Sequence, residues 1–235
     1  MSAPAAARAR SGPVLVLQHG AEGPPGLLAE WLEARGLRAE IVDDWRAHEG
    51  LDPEAHAFVV SLGSWFSPRQ ADEPEVAAEL AFLRRAVDAD VPVLGLCYGG
   101  QALAAVLGGT VEQAPRPELG WHAVETSAPD VVAPGPWLQW HFDRFTVPPG
   151  AEEIARSPAG PQAFRRGAHL GVQFHPESTI EIVTGWARAD AGRLAELGLE
   201  DAEAGLEVGR EHAEAAREAA FRLFDAFWAS AAGRP

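Results

Sequence analysis

Only one cysteine, Cys97, occurs in the 235 residues, so an intrachain disulfide is impossible and nothing in the thiol content calls for an oxidising compartment. A reducing cytoplasm is the expected setting. Basic residues are scarce: Lys and Arg number 19 against 34 Asp and Glu, and the net charge of −15 opposes a sequence-independent grip on a phosphate backbone. No nucleic-acid partner is expected. No apolar run approaches the ~20 residues of a membrane-spanning helix, and the stretch after Arg8 and Arg10 is too brief for a secretory core, so no membrane association is expected either. His19, His48, His56, His122, His169 and His212 show no metal-ligand spacing, which predicts no metal and no cofactor. A G-x-x-x-x-G-K-[ST] phosphate cradle is missing too, so no ATP-using portion is expected within this chain.

What is present suffices for a large core, at 47% hydrophobic content. Residues 1–12, rich in Ala, Arg, Ser and Pro, read as a loose tail, and residues 13–235 as a single domain with no long linker and no internal repeat. "VLVLQ" (Val14 to Gln18) is an apolar run too short for a helix and suits a strand buried on both faces. "LLAEWLEARG" then sets Leu27, Leu28, Trp31 and Leu32 at helical spacing and stops at Gly36. The alternation continues through "RAEIVD" and "HAFVVSLG" as strands, "EPEVAAELAFLRRAVDAD" as a helix, "VPVLGLC" as a strand and "YGGQALAAVLGG" as a helix. Such a pattern predicts an α/β architecture with a mostly parallel sheet covered on both faces. From about Gly109 to Phe174, strand-like pieces separated by Pro and Gly turns predict a β-rich second half joined to the same sheet. After "HPEST" the chain turns helical, ending in a helix whose Ala220, Leu223, Phe224 and Phe227 form one apolar stripe.

"GLCYGGQALA" places Cys97 on a tight strand-to-helix turn cleared by Gly95, Gly99 and Gly100. A lone cysteine is most often plain core packing. Here the pattern is G-x-C-x-G, a nucleophile elbow with cysteine in the serine position, and a helix N-terminus behind the sulfur favours negative charge. In open parallel sheets, sites form beyond the carboxyl ends of the strands, where Cys97 is expected. A nucleophile of this kind needs a base and a group that orients it. "GVQFHPES" offers His175 and Glu177, two apart in an extended segment and so on the same side. Alone, such a pair reads more readily as a surface His beside a Glu; joined to the elbow, the preference reverses.

Together these motifs resemble the class I (triad) glutamine amidotransferases, in particular the glutaminase domains related to GMP synthase. "GLCYGGQALA" is similar to the family's nucleophile motif and "GVQFHPE" to its His/Glu motif. "LGWHAVE", "LQWHFDRFTVPPGA" and "PQAFRRG" resemble the segments between, and the likeness runs from about Val14 to Glu181. It implies a flavodoxin-like sheet and a catalytic triad of Cys97 as nucleophile, His175 as general base and acid, and Glu177 as third member. It further implies an oxyanion hole at the Tyr98 amide and at "SLGSWFS". There Gly63 is followed by Ser64 and Trp65 instead of a second glycine, so a donor at that point requires backbone angles that serine tolerates. Gln101, Gly99 and His141 are the implied substrate contacts; Gln101 reads equally as a helix-surface residue, and His141 with Asp143 as part of a capped turn. The tryptophans, Trp140 and Trp186 included, read as core or rim packing.

The expected activity is cleavage of glutamine or another γ-glutamyl amide through a cysteine thioester, by a stand-alone hydrolase. Two alternatives stay open: a subunit that feeds ammonia to a separate synthetase, which predicts exposed apolar surface beside the site, and a binding or regulatory homologue that has lost catalysis.

Overall fold

The computed structural model describes residues 11–196 and 202–233; residues 1–10 of the expected tail, and 197–201 and 234–235 of the acidic C-terminal region, lie outside the described residues. The chain runs β1 (Val14–Leu17), α1 (Gly26–Ala34), β2 (Ala39–Val42), β3 (Val59–Ser61), α2 (Pro74–Asp88), β4 (Val93–Leu96) and α3 (Tyr98–Val106). It continues with β5 (Val111–His122), β6 (Glu125–Thr126), β7 (Trp137–Phe145), β8 (Glu152–Ser157), β9 (Gly160–Arg166) and β10 (His169–Val172). The helices α4 (Ile180–Ala189), α5 (Ala191–Glu196) and α6 (Ala202–Ala231) close it.

Eight strands form one sheet in the order β2-β1-β3-β4-β10-β9-β8-β6. The first five run parallel and the last three continue it antiparallel. Alternation of side chains along a strand sends Val14 and Val16 to one face and Leu15 and Leu17 to the other, which is why β1 is apolar throughout. On the first face α1 packs with α6, and the predicted stripe of Ala220, Leu223, Phe224 and Phe227 is buried there against Trp31 and Phe58. On the second face lie α2 and α3. Since Phe224 is fully buried, Phe224→Ala is expected to lower the unfolding free energy by roughly 3 kcal/mol, measured by urea denaturation.

One expectation for the second half needs correction. Strands β6, β8, β9 and β10 do join the main sheet, but among the described residues β5 and β7 pair only with each other, in a separate two-stranded sheet. The physical reason is the position of this ribbon beside the carboxyl ends of the parallel strands. There the Leu138 carbonyl accepts from the His175 amide (2.9 Å) and Leu138 and Trp140 pack on Trp186 and Val183 of α4. Its second face is thus occupied by site loops and a helix, not by another strand.

Candidate active site

Four loops leave the carboxyl ends of adjacent parallel strands and converge: the one after β1 brings His19, that after β3 brings Gly63 and Ser64, β4 ends at Cys97, and β10 leads to His175 and Glu177. They meet at a cleft of about 620 Å³ whose lining includes Ser64, Cys97, Tyr98, Trp140, His141 and His175. Convergence at strand ends is the general location of sites in open α/β sheets.

Cys97 sits at φ 51°, ψ −106°, a conformation that costs an L-residue energy and is held by the surrounding structure. Its amide donates to the Val172 carbonyl (3.0 Å), extending the pairing of β4 with β10 by one residue before the chain enters α3. The sulfur therefore projects from the strand end just ahead of the helix. Tyr98 opens α3, so its amide has no acceptor within the helix.

His175 and Glu177 are both buried, and Nδ1 of the imidazole donates to Oε1 of the carboxylate at 2.7 Å. The other nitrogen, Nε2, is buried and takes no conventional hydrogen bond among the described residues. Burial disfavours the charged ring, but interaction with Cys97 and with Glu177 raises the His175 pKa well above its ordinary 6.5. The indole of Trp186 packs on this ring at 4.7 Å and is itself pinned by donation to the Glu22 carbonyl (2.7 Å). Trp186 and Trp140, read from sequence as packing, thus form walls of the site.

Sequence reasoning passed over His19 and Glu79. Nδ1 of His19 donates to the Gly63 carbonyl at 2.9 Å, and Nε2 meets the fully buried Glu79 of α2, whose other oxygen accepts from Ser61 Oγ at 2.5 Å. The Tyr98 ring stands edge-on to His19. Desolvation opposes charge on both partners, yet their mutual attraction and hydrogen bonds raise His19 above 6.5 and lower Glu79 below 4.5, the directions of an imidazolium–carboxylate pair. The contribution of His19 to stability is complete below pH 6.5 and fades as pH climbs through its raised folded value; that of Glu79 is complete above pH 4.5 and fades as pH falls through its lowered one. The stability lost in Glu79→Gln is accordingly expected to be largest between those two values and to shrink on the alkaline side, as urea midpoints of both proteins across pH will read.

The three implied substrate contacts all make hydrogen bonds within the protein. Gln101 reaches the cleft, but its side-chain nitrogen already donates to the Asp143 carbonyl (3.1 Å) and to Gln173 Oε1 (3.3 Å). His141 has both nitrogens bonded within the protein, Nδ1 to the Asp143 carbonyl (3.0 Å) and Nε2 to Glu118 (3.1 Å), so it braces the cleft wall. The Gly99 amide is spent on the Leu62 carbonyl (3.1 Å), which leaves it no hydrogen bond to offer a ligand. Serine in place of a second glycine is accommodated without backbone strain: Ser64 is not among the positive-φ residues, and its Oγ accepts from the Phe66 amide (3.1 Å), closing a short turn. Further along, Asp143 accepts from Ser67 Oγ (2.5 Å) and Arg69 (3.0 Å), tying this loop to β7. No cluster of His, Cys, Asp and Glu suited to a metal ion occurs among the described residues.

Comparison with known proteins agrees with this architecture. The glutamine amidotransferase class-I family matches residues 28–182. The glutamine-hydrolysing GMP synthase of Thermomicrobium roseum is 34% identical over 175 residues, covering 70% of this chain and 31% of that protein. That of Helicobacter pylori is 31% identical over 172 residues, covering 70% and 32%. The chain therefore matches about a third of the length of these curated relatives. In fold it is similar to a glutamine amidotransferase from Thermotoga maritima, with a TM-score of 0.81 and 24% identity over 92% of this chain and 98% of that one. With a match spanning well over half of its length, the chain belongs to the class-I glutamine amidotransferase family.

Proposed function

We propose that this protein hydrolyses glutamine, or another γ-glutamyl amide, through a thioester on Cys97. The observation that carries the reading is the buried His175 ring, bonded to Glu177 through Nδ1 and lining the same cleft as Cys97. A primary amide is a weak electrophile, so the thiolate attack needs a proton ready for the leaving nitrogen and donors for the oxyanion. The raised pKa of His175 keeps that proton at hand. Sulfur adds to the γ-carbonyl carbon, and the oxyanion is received by the Tyr98 and Ser64 amides. The C–N bond then breaks as His175 Nε2 passes its proton to nitrogen, releasing ammonia. The same nitrogen, now neutral, takes a proton from water, whose oxygen attacks the thioester and frees glutamate and the thiol. Glu177 holds the ring in the orientation that each transfer requires.

Incubation with glutamine and with γ-glutamyl dipeptides, followed by assay of ammonia, released amine and glutamate, tests this directly. Absence of turnover on all of them overturns the reading.

A second reading, a glutaminase that passes ammonia to a separate synthetase, is favoured by one feature. Trp65 and Phe66 flank the cleft mouth and are 49% and 38% exposed, large aromatics placed where a partner would cover them. The relatives' name, glutamine-hydrolysing GMP synthase, points the same way. Stimulation of ammonia release on adding an ATP-using partner recovered by pulldown supports that arrangement, and full turnover with no partner speaks against it.

A further inference from the structure

His19 lines the same cleft as Cys97 and is bonded to the buried Glu79 of α2, but the proton-transfer chemistry above makes no use of either. Burying a charged pair is costly unless every hydrogen bond is met, and a pair that does nothing is readily replaced by apolar residues. This one is met completely: Glu79 is bonded by His19 and Ser61, and the remaining imidazole N–H goes to the Gly63 carbonyl at 2.9 Å. The carbonyl it holds belongs to a critical peptide. In a trans peptide the C=O of one residue and the N–H of the next point in opposite directions. Fixing the Gly63 oxygen toward His19 therefore fixes the Ser64 N–H away from it, and no acceptor among the described residues takes that N–H. Gly63 is also pressed against the proposed base: a Cβ there would come within 2.8 Å of His175 Cε1, so the loop lies directly on the reacting groups.

We propose that His19 is a positioning residue whose hydrogen bond to the Gly63 carbonyl, braced by Glu79, locks the Gly63–Ser64 peptide with its N–H directed at the oxyanion. The inference rests on the Cys97 reading and adds to it the element that sets the second oxyanion donor. Without the lock, a peptide followed by a turn at Ser64 is free to rotate and present its oxygen where charge develops, which repels the intermediate instead of stabilising it.

Two variants separate the bonds of the ring. His19→Asn places an amide nitrogen near the position of Nδ1 and keeps a donor for the Gly63 carbonyl, whereas His19→Gln reaches toward Glu79 and loses it. His19→Gln is expected to lower kcat for glutamine by about 10- to 100-fold with little change in KM, in line with the effect of losing part of an oxyanion donor, and His19→Asn to recover most of the loss. Binding of glutamate γ-semialdehyde, which adds the thiol to form a tetrahedral adduct bearing the oxyanion, is expected to weaken in His19→Gln by the same factor. Alkylation of Cys97 by iodoacetamide forms no oxyanion, and its rate is expected to stay at the wild-type value. A His19→Gln protein with wild-type kcat, or one in which alkylation falls in step with turnover, overturns the inference while wild-type turnover leaves the Cys97 reading standing. A wild-type protein inert to both glutamine and the aldehyde overturns the two together.

Discussion

Cys97→Ala is expected to abolish release of ammonia from glutamine, by at least about 10⁴-fold, while leaving the protein folded. The magnitude follows from what is lost. With no sulfur, the amide carbon has no covalent partner, and the only remaining route is direct attack by water. Binding and the oxyanion donors alone recover little of the rate in nucleophilic hydrolases of this design. The fold is expected to survive because alanine has the same backbone preferences as cysteine at φ 51° and fills less of a site already bordered by the cleft. A second consequence tests the coupling itself. Since Cys97 is one of the groups that raises the His175 pKa, its removal is expected to move the titration of that ring downward, which NMR of the imidazole protons will read. Residual ammonia release near the wild-type rate would sink the thioester mechanism. An unchanged His175 titration would show that sulfur and imidazole do not interact.

Much of this site was legible in the sequence because its signals are local. A turn that forces a side chain out of a strand end needs small neighbours within two residues, so "GLCYGG" carries its geometry in one short string. His175 and Glu177 are likewise two residues apart, though the segment is a turn, closed by the Ser178 amide on the His175 carbonyl (3.4 Å), and not the extended stretch expected; their 2.7 Å bond is made within that turn. The parallel core was equally readable, since strands buried on both faces must be apolar throughout, as Val14–Leu17 and Val93–Leu96 are.

Pairings across long separations left no such trace. Glu79 sits on α2 amid residues that satisfy an ordinary amphipathic pattern, and its partner His19 is 60 positions away in a glycine-rich turn. A carboxylate on the buried side of that pattern, beside Val76, Phe82 and Leu83, was the available signal, because an unpaired charge is not tolerated there. Trp186 looked like any helix-face aromatic until α4 was placed against His175. The separate β5 and β7 ribbon escaped notice for a related reason: strand pattern indicates that pairing occurs but says nothing about which edge receives it.

Gly99→Ala is the substitution expected to damage the fold most. Gly99 is in the first turn of α3, in ordinary helical conformation, so the cost does not come from its backbone angles. A Cβ there would lie 2.1 Å from the Ser61 carbonyl oxygen and 2.4 Å from Ser61 Oγ. Neither atom has room to retreat. Ser61 is in the middle of the sheet, in register with Leu17 on one side and Gly95 on the other, and its hydroxyl donates to the buried Glu79. The helix must yield instead, which breaks the hydrogen bond from the Gly99 amide to the Leu62 carbonyl and carries Cys97 and Tyr98 away from the cleft. Overpacking against fixed backbone on this scale is expected to cost about 4 kcal/mol, a large part of the stability of a typical domain, and to lower Tm by roughly 10 °C. Gly36→Ala supplies the comparison. Its Cβ would meet nothing within 4 Å, but φ is +66°, so only the backbone penalty of about 1 kcal/mol applies. Thermal melts of the two variants thus weigh steric contact against conformational strain. A Gly99→Ala protein that melts within about 2 °C of wild type would mean that α3 is not seated on β3 as closely as this elbow requires.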